Sequence, residues 1–186
     1  MQATVTGGGN LVLVAVFVFG PAWSRKEKHV GTIELSDLRG YFKELAGPAF
    51  EEFWFEYQAD IPVDIGRFML IYRRLVTAIF FLNHMTDKAA KLRGANNAGE
   101  VIGLVKALDI HAGTALDVCR QLTNDVKHPK TQPQTFSTRD RVTTDEAGTH
   151  QLPCWVYTDK SGANHDLCDI AERAWRYWVD YRHERK

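Results

Sequence analysis

Residues 65–85 read Ile-Gly-Arg-Phe-Met-Leu-Ile-Tyr-Arg-Arg-Leu-Val-Thr-Ala-Ile-Phe-Phe-Leu-Asn-His-Met. Phe68, Met69, Ile71, Tyr72, Leu75, Val76, Ile79, Phe80, Phe81 and Leu82 leave almost no polar face; only Arg73, Arg74 and Thr77 interrupt them. A helix apolar all round is a central one, or one covered by a partner subunit. Pro62 suits its first turn. From there to Lys91 a helix would span about 45 Å at 1.5 Å per residue. Arg73 and Arg74 argue against a membrane span.

Further helices flank this one. Upstream, Ser36 is a good N-cap with Asp37 in the first turn. Leu38, Tyr41, Phe42 and Leu45 recur at helical spacing. Gly47-Pro48 should kink or split the segment. Phe50, Phe53, Trp54 and Tyr57 continue an aromatic stripe read as core, with Glu51, Glu52 and Glu56 on a solvated face. Downstream, the polar turn Gly94–Gly99 precedes one helix opened by Glu100. Val101, Leu104, Val105, Leu108, Ala112, Ala115, Leu116, Cys119, Leu122 and Val126 form its i, i+3, i+4 series. Pro129 ends it, which places His128 at its last turn.

Residues 130–150 are polar and predict a loop and a weak hairpin around Asp145–Gly148. Gln151–Thr158 is the clearest strand, and Asp159–Gly162 is a turn. A last helix starts at Asn164 or Asp166, with Leu167, Ile170, Ala171, Ala174, Trp175, Trp178 and Tyr181 on its apolar face. Arg173, Arg176, Arg182, Arg185 and Lys186 give it a basic end, read as a solvated tail that also has the charge to touch phosphates. The prediction is a mainly α fold. A bundle of four or five helices fills residues 36–186 as one domain, with a small β-hairpin before the last helix.

Residues 1–35 stand apart as an N-terminal extension. Leu11–Phe19 is a run of nine apolar residues, short of the about 20 that span a bilayer. Its Val and Phe content favours a buried strand. A signal segment is the competing reading, but no Lys or Arg precedes the run.

The composition excludes several classes. The chain has 186 residues, with 23 Lys and Arg against 23 Asp and Glu and 45% hydrophobic residues. That is a chain with a core, not a disordered one. Zero net charge argues against broad coating of nucleic acid. Cys119, Cys154 and Cys168 are too few for a disulfide framework and show no zinc spacing. They predict a reduced, cytoplasmic protein without a metal or cofactor. No phosphate loop, HExxH or GxSxG motif occurs.

The chemistry concentrates in Leu122-Thr-Asn-Asp-Val-Lys-His128. Asn124, Asp125, Lys127 and His128 crowd a helix end, with Arg120 and Asp117 further back. Such groups either cap the helix end or are employed. An imidazole there suits general acid–base work, and Arg120 or Lys127 suits a developing phosphate charge. A second cluster is Asn83-His84-Met-Thr-Asp87. His84 and Asp87 are i, i+3 neighbours that can orient one another or meet the first cluster across antiparallel helices. A metal on His84, Asp87 and His128 is the weakest option, because the spacing is not a ligand signature.

A helical bundle with a polar-His motif near the end of its third long helix resembles the HEPN superfamily. Many members of that superfamily are metal-independent endoribonucleases of toxin–antitoxin and antiphage systems. Others are non-catalytic nucleotide-binding or dimerisation modules. Their motif is an Arg, a polar residue and, a few positions on, a His, with two subunits lining one cleft. Here His128 matches the His and Asn124 the polar residue. Thr123 stands at the Arg position, and Arg120 lies seven intervening residues before His128. The chain is also similar to uncharacterised bacterial helical proteins with an N-x-x-K-H helix end. The resemblance covers about residues 36–183. It implies a homodimer acting on RNA through His128, Asn124, Arg120 and Lys127, with an antitoxin-like protein partner and no membrane. The alternative it implies is a non-catalytic dimerisation or binding module.

Overall fold

The computed structural model describes residues 35–59, 63–128, 137–145 and 148–181. The Leu11–Phe19 strand, Pro62, residues 129–136 and the basic tail 182–186 lie outside the described residues. The architecture is mainly helical: α1 (Leu38–Tyr41), a π turn (Phe42–Ala46), α2 (Gly47–Gln58), α3 (Ile65–Arg93), α4 (Ala98–Leu108), α5 (Ile110–Lys127) and α6 (Leu167–Asp180). A small antiparallel sheet lies between α5 and α6 in the chain. It is formed by β1 (Ser137–Asp145), β2 (Gly148–Thr158) and the short β3 (Asn164–Asp166), in the order β1-β2-β3.

Asp37 rather than Ser36 caps α1, its Oδ1 accepting from the Gly40 N–H at 2.6 Å. Gly47-Pro48 does not split the segment as expected. The chain widens into a π turn in which the Gly47 N–H donates to the Phe42 carbonyl. That wider turn lets the helix run on through a proline that has no N–H and would crowd an α-helical carbonyl. Phe50 then stacks between Trp54 and Trp175, with centroids 5.6 and 4.8 Å away, and so joins α2 to α6.

The predicted central helix is α3. Ile71, Leu75, Ala78, Ile79, Leu82 and Ala89 are fully buried, and α3 packs against α2, α4, α5 and α6. Its N-cap is Asp64, which accepts from the Arg67 N–H at 2.8 Å. Arg67 also reaches back to α2. Its Nη2 donates to the carbonyls of Glu56 (2.7 Å) and Ala59 (2.9 Å), at the end of that helix. Glu56 is therefore not on a free solvated face: it is half-buried between Arg67 and Arg74, at 3.9 and 3.6 Å. Replacing Arg67 by methionine keeps an apolar stem but removes both donors. It should cost about 1.5 kcal/mol, the lower end for charged hydrogen bonds. The urea midpoint should fall at unchanged slope; a midpoint equal to wild type would mean that water replaces the guanidinium without loss.

The third predicted helix is two helices. At Asp109 the backbone turns extended (φ −143°, ψ 102°). The Asp109 N–H closes α4 on the Val105 carbonyl at 2.7 Å. Its carboxylate then opens α5 by accepting from the His111 and Ala112 N–H groups at 2.9 and 3.0 Å. One aspartate thus ends one helix and starts the next. The corner leaves Leu104 and Leu108 outside the core, Leu108 at 90% exposure.

In the sheet, β1 and β2 pair with Asp145 opposite Gly148, at the predicted hairpin turn. Trp155 of β2 is buried against Phe68 and Tyr72 of α3, at 5.0 and 5.8 Å. Asp159 accepts from Ser161, Ala163 and His165 and fixes the β2–β3 turn. Its burial pushes the carboxyl up, but these donors outweigh that and hold it well below the usual range. Asp166 caps α6, and residues 164–166 before it pair with β2 as a strand.

Candidate functional site

The last turn of α5 carries the groups singled out in the sequence. His128 is the C-cap, with extended backbone (φ −115°, ψ 116°), as suits a residue before proline. Its N–H donates to the Asn124 carbonyl at 3.0 Å. Asn124, Lys127 and His128 are all exposed. Arg120 lies one turn before Asn124, so all four lie along one side of the helix. Thr123, at the Arg position of the resembled motif, is fully buried. An arginine there would have to enter the core; Arg120 is the arginine that shares the exposed stripe.

Asp117 organises the cations around that stripe. Lys106, reaching across from α4, donates to its Oδ2 at 2.9 Å, and Arg120 donates to its Oδ1 at 3.0 Å. Gln121 donates to Oδ2 at 3.2 Å. Burial pushes the Asp117 carboxyl up, but hydrogen bonds from Lys106 and Arg120 prevail and hold it below the usual carboxylate range. It remains an anion at neutral pH and, two turns before Asn124 on α5, holds Lys106 and Arg120.

The sheet closes the other side. The Tyr157 hydroxyl donates to Asp125 Oδ2 at 2.6 Å. The Lys160 N–H of the β2–β3 turn donates to Gln121 Oε1 at 3.0 Å. Of the acids around the stripe, Asp117 and Asp125 are thus already engaged by donors.

The second cluster is a separate site. Trp155 and Tyr157 tie the end of α5 to the first turns of α3, near Phe68 and Tyr72. His84 is twelve residues beyond Tyr72, about 18 Å along the helix. The expected meeting of the two clusters therefore does not occur. Nor do His84 and Asp87 bond to each other. His84 Nδ1 pairs instead with the Tyr41 hydroxyl at 3.1 Å. Lys88 sits 4.8 Å from the centre of the Tyr41 ring. Burial, and then the charge of Asp87, raise the Tyr41 hydroxyl to about 12, so it stays protonated. Among the described residues no three His, Cys, Asp or Glu side chains gather as metal ligands, so the His84, Asp87 and His128 set forms no such group.

Sequence spacing shows Asp117, Gln121 and Arg120 as helical neighbours. It gives no sign of Lys106, Lys160, Tyr157 or Tyr41, which arrive from other elements. Cys119 is inert, its thiol pushed up to about 12 by full burial; Cys154 and Cys168 are buried and form no disulfide, and the Cys154 thiol donates to Asp166 Oδ2 at 3.0 Å. No helix among the described residues is long and apolar enough to cross a membrane. No protein-family model, curated protein or solved structure matches this chain, so the geometry of the α5 end itself carries the functional reading.

Proposed function

We propose that the chain is a HEPN-like, metal-independent endoribonuclease that works as a homodimer. The observation that carries this reading is the exposed row of Asn124, Lys127 and His128, with Arg120 one turn behind. Two copies would bring two such rows to one cleft. His128 of one copy takes the proton from a ribose 2′-hydroxyl. The 2′-oxygen attacks phosphorus, and the bond from phosphorus to the 5′-oxygen breaks. The imidazolium of the second copy's His128 gives its proton to that leaving oxygen. Arg120 and Lys127 stabilise the charge on the pentacoordinate phosphorus, and Asn124 orients the phosphate. The setting is cytoplasmic, which suits three reduced, buried thiols. A toxin–antitoxin or antiphage role, with an antitoxin as protein partner, follows from the same resemblance.

One observation favours a second reading. Arg120 is already paired with Asp117, as it would be in a non-catalytic binding or dimerisation module. Incubation of the purified protein with single-stranded RNA in excess EDTA separates the two. Cleavage leaving 2′,3′-cyclic phosphate and 5′-hydroxyl ends is expected. Binding without cleavage would establish the module, and cleavage only with added metal would reject the mechanism.

A further inference from the structure

We propose that Lys160, on the turn between β2 and β3, is a further phosphate-binding residue of the α5 face, and that Gln121 positions it. The inference rests on the RNA reading above. Gln121 is 7% exposed, and its amide is used at both ends. Its Nε2 donates to Asp117 Oδ2 at 3.2 Å, and its Oε1 accepts from the Lys160 N–H at 3.0 Å. A buried amide satisfied on both sides has little freedom to turn. It fixes the Lys160 backbone beside α5, one helical turn from Asn124 and two from His128. The Lys160 side chain is exposed.

Asp159 turns its carboxylate back into its own loop, where it accepts from Ser161, Ala163 and His165. Asp125 accepts from Tyr157. Lys106 and Arg120 pair with Asp117, while Lys127 and Lys160 are exposed further along the same part of α5, Lys160 on the turn beside it. Exposed lysines placed along one part of a helix suit a flexible polyanion held at more than one phosphate, as in the backbone of single-stranded RNA.

The test is binding of a fluorescein-labelled 2′-O-methyl RNA, which lacks the attacking hydroxyl, measured across a salt series. Lys160→Gln should weaken binding on the order of fivefold and reduce the salt slope by about 0.7, one phosphate contact on a single strand. Gln121→Met should weaken binding similarly, and adding Lys160→Gln to it should cost little more, because the two act through one contact. Should the wild type bind and Lys160→Gln match it in affinity and slope, Lys160 is excluded while the RNA reading stands. Should Gln121→Met bind like wild type while Lys160→Gln is weak, the positioning role of Gln121 is excluded. A wild type that does not bind this RNA overturns the RNA reading and Lys160 with it.

Discussion

Alanine at His128 is expected to slow RNA cleavage by about 10²–10⁴-fold, the range for losing a general acid–base group. At 1.36 kcal/mol per tenfold, this is about 2.7–5.4 kcal/mol of lost transition-state stabilisation. In the homodimer one substitution removes both the base of one copy and the acid of the other. Folding should not suffer. His128 is exposed at the helix end, and its backbone bond to Asn124 survives in alanine. A surface change of this kind stays within about 0.5 kcal/mol. The readouts are initial cleavage rate and melting temperature, taken on one preparation. Full cleavage by a folded His128→Ala protein would eliminate the mechanism. A lowered melting temperature would instead assign the imidazole to the structure of the helix end.

The largest expected loss of stability is at Gly113. In most helix interiors, replacing glycine by alanine stabilises by up to about 1 kcal/mol through backbone entropy. Here the sign should reverse. A Cβ on Gly113 would lie 2.6 Å from both the N and the Cα of Lys106, and closer still to its Cγ. These are mainly backbone atoms of α4, so no side-chain rotation relieves the clash. Gly113→Ala should cost about 3 kcal/mol, at the upper end of ordinary overpacking, and lower the melting temperature by about 6–12 °C. Gly103 on α4 is the internal control. It is exposed, and a Cβ there meets nothing within 4 Å, so Gly103→Ala should raise the melting temperature slightly. Equal behaviour of the two variants would contradict the close crossing of α4 and α5. A pushed-out α4 would also draw Lys106 off Asp117, which it now reaches at 2.9 Å.

The sequence showed where helices would form more clearly than where they would turn. Local spacing found α3 because its apolar residues recur in every direction, which suits a central helix or one covered by a partner. The corner at Asp109 escaped the same reasoning, since Leu104 and Leu108 fit the stripe of one long helix although the structure leaves both exposed. A periodic pattern records which residues could share a face, not whether the axis is continuous between them. The interruption depends on one carboxylate accepting two N–H groups and on one glycine allowing two backbones to touch. Asp109 followed four residues later by Gly113 is the only local trace of it. His84 shows the same limit: its partner, Tyr41, lies 43 residues away, while Asp87, three residues on, is the neighbour visible along the chain.

The sequence alone therefore determined a helical chain with a polar, His-bearing helix end before Pro129, because helical phase and the proline constraint are local. The tertiary structure alone decided which groups of other elements meet α5 along the turns before that end. Lys106 reaches Asp117 through the Asp109 corner, and Lys160 reaches Gln121 through a turn 39 residues away. Contacts between distant segments depend on where helix axes bend and how closely they cross, and neither has a period that can be read along the chain.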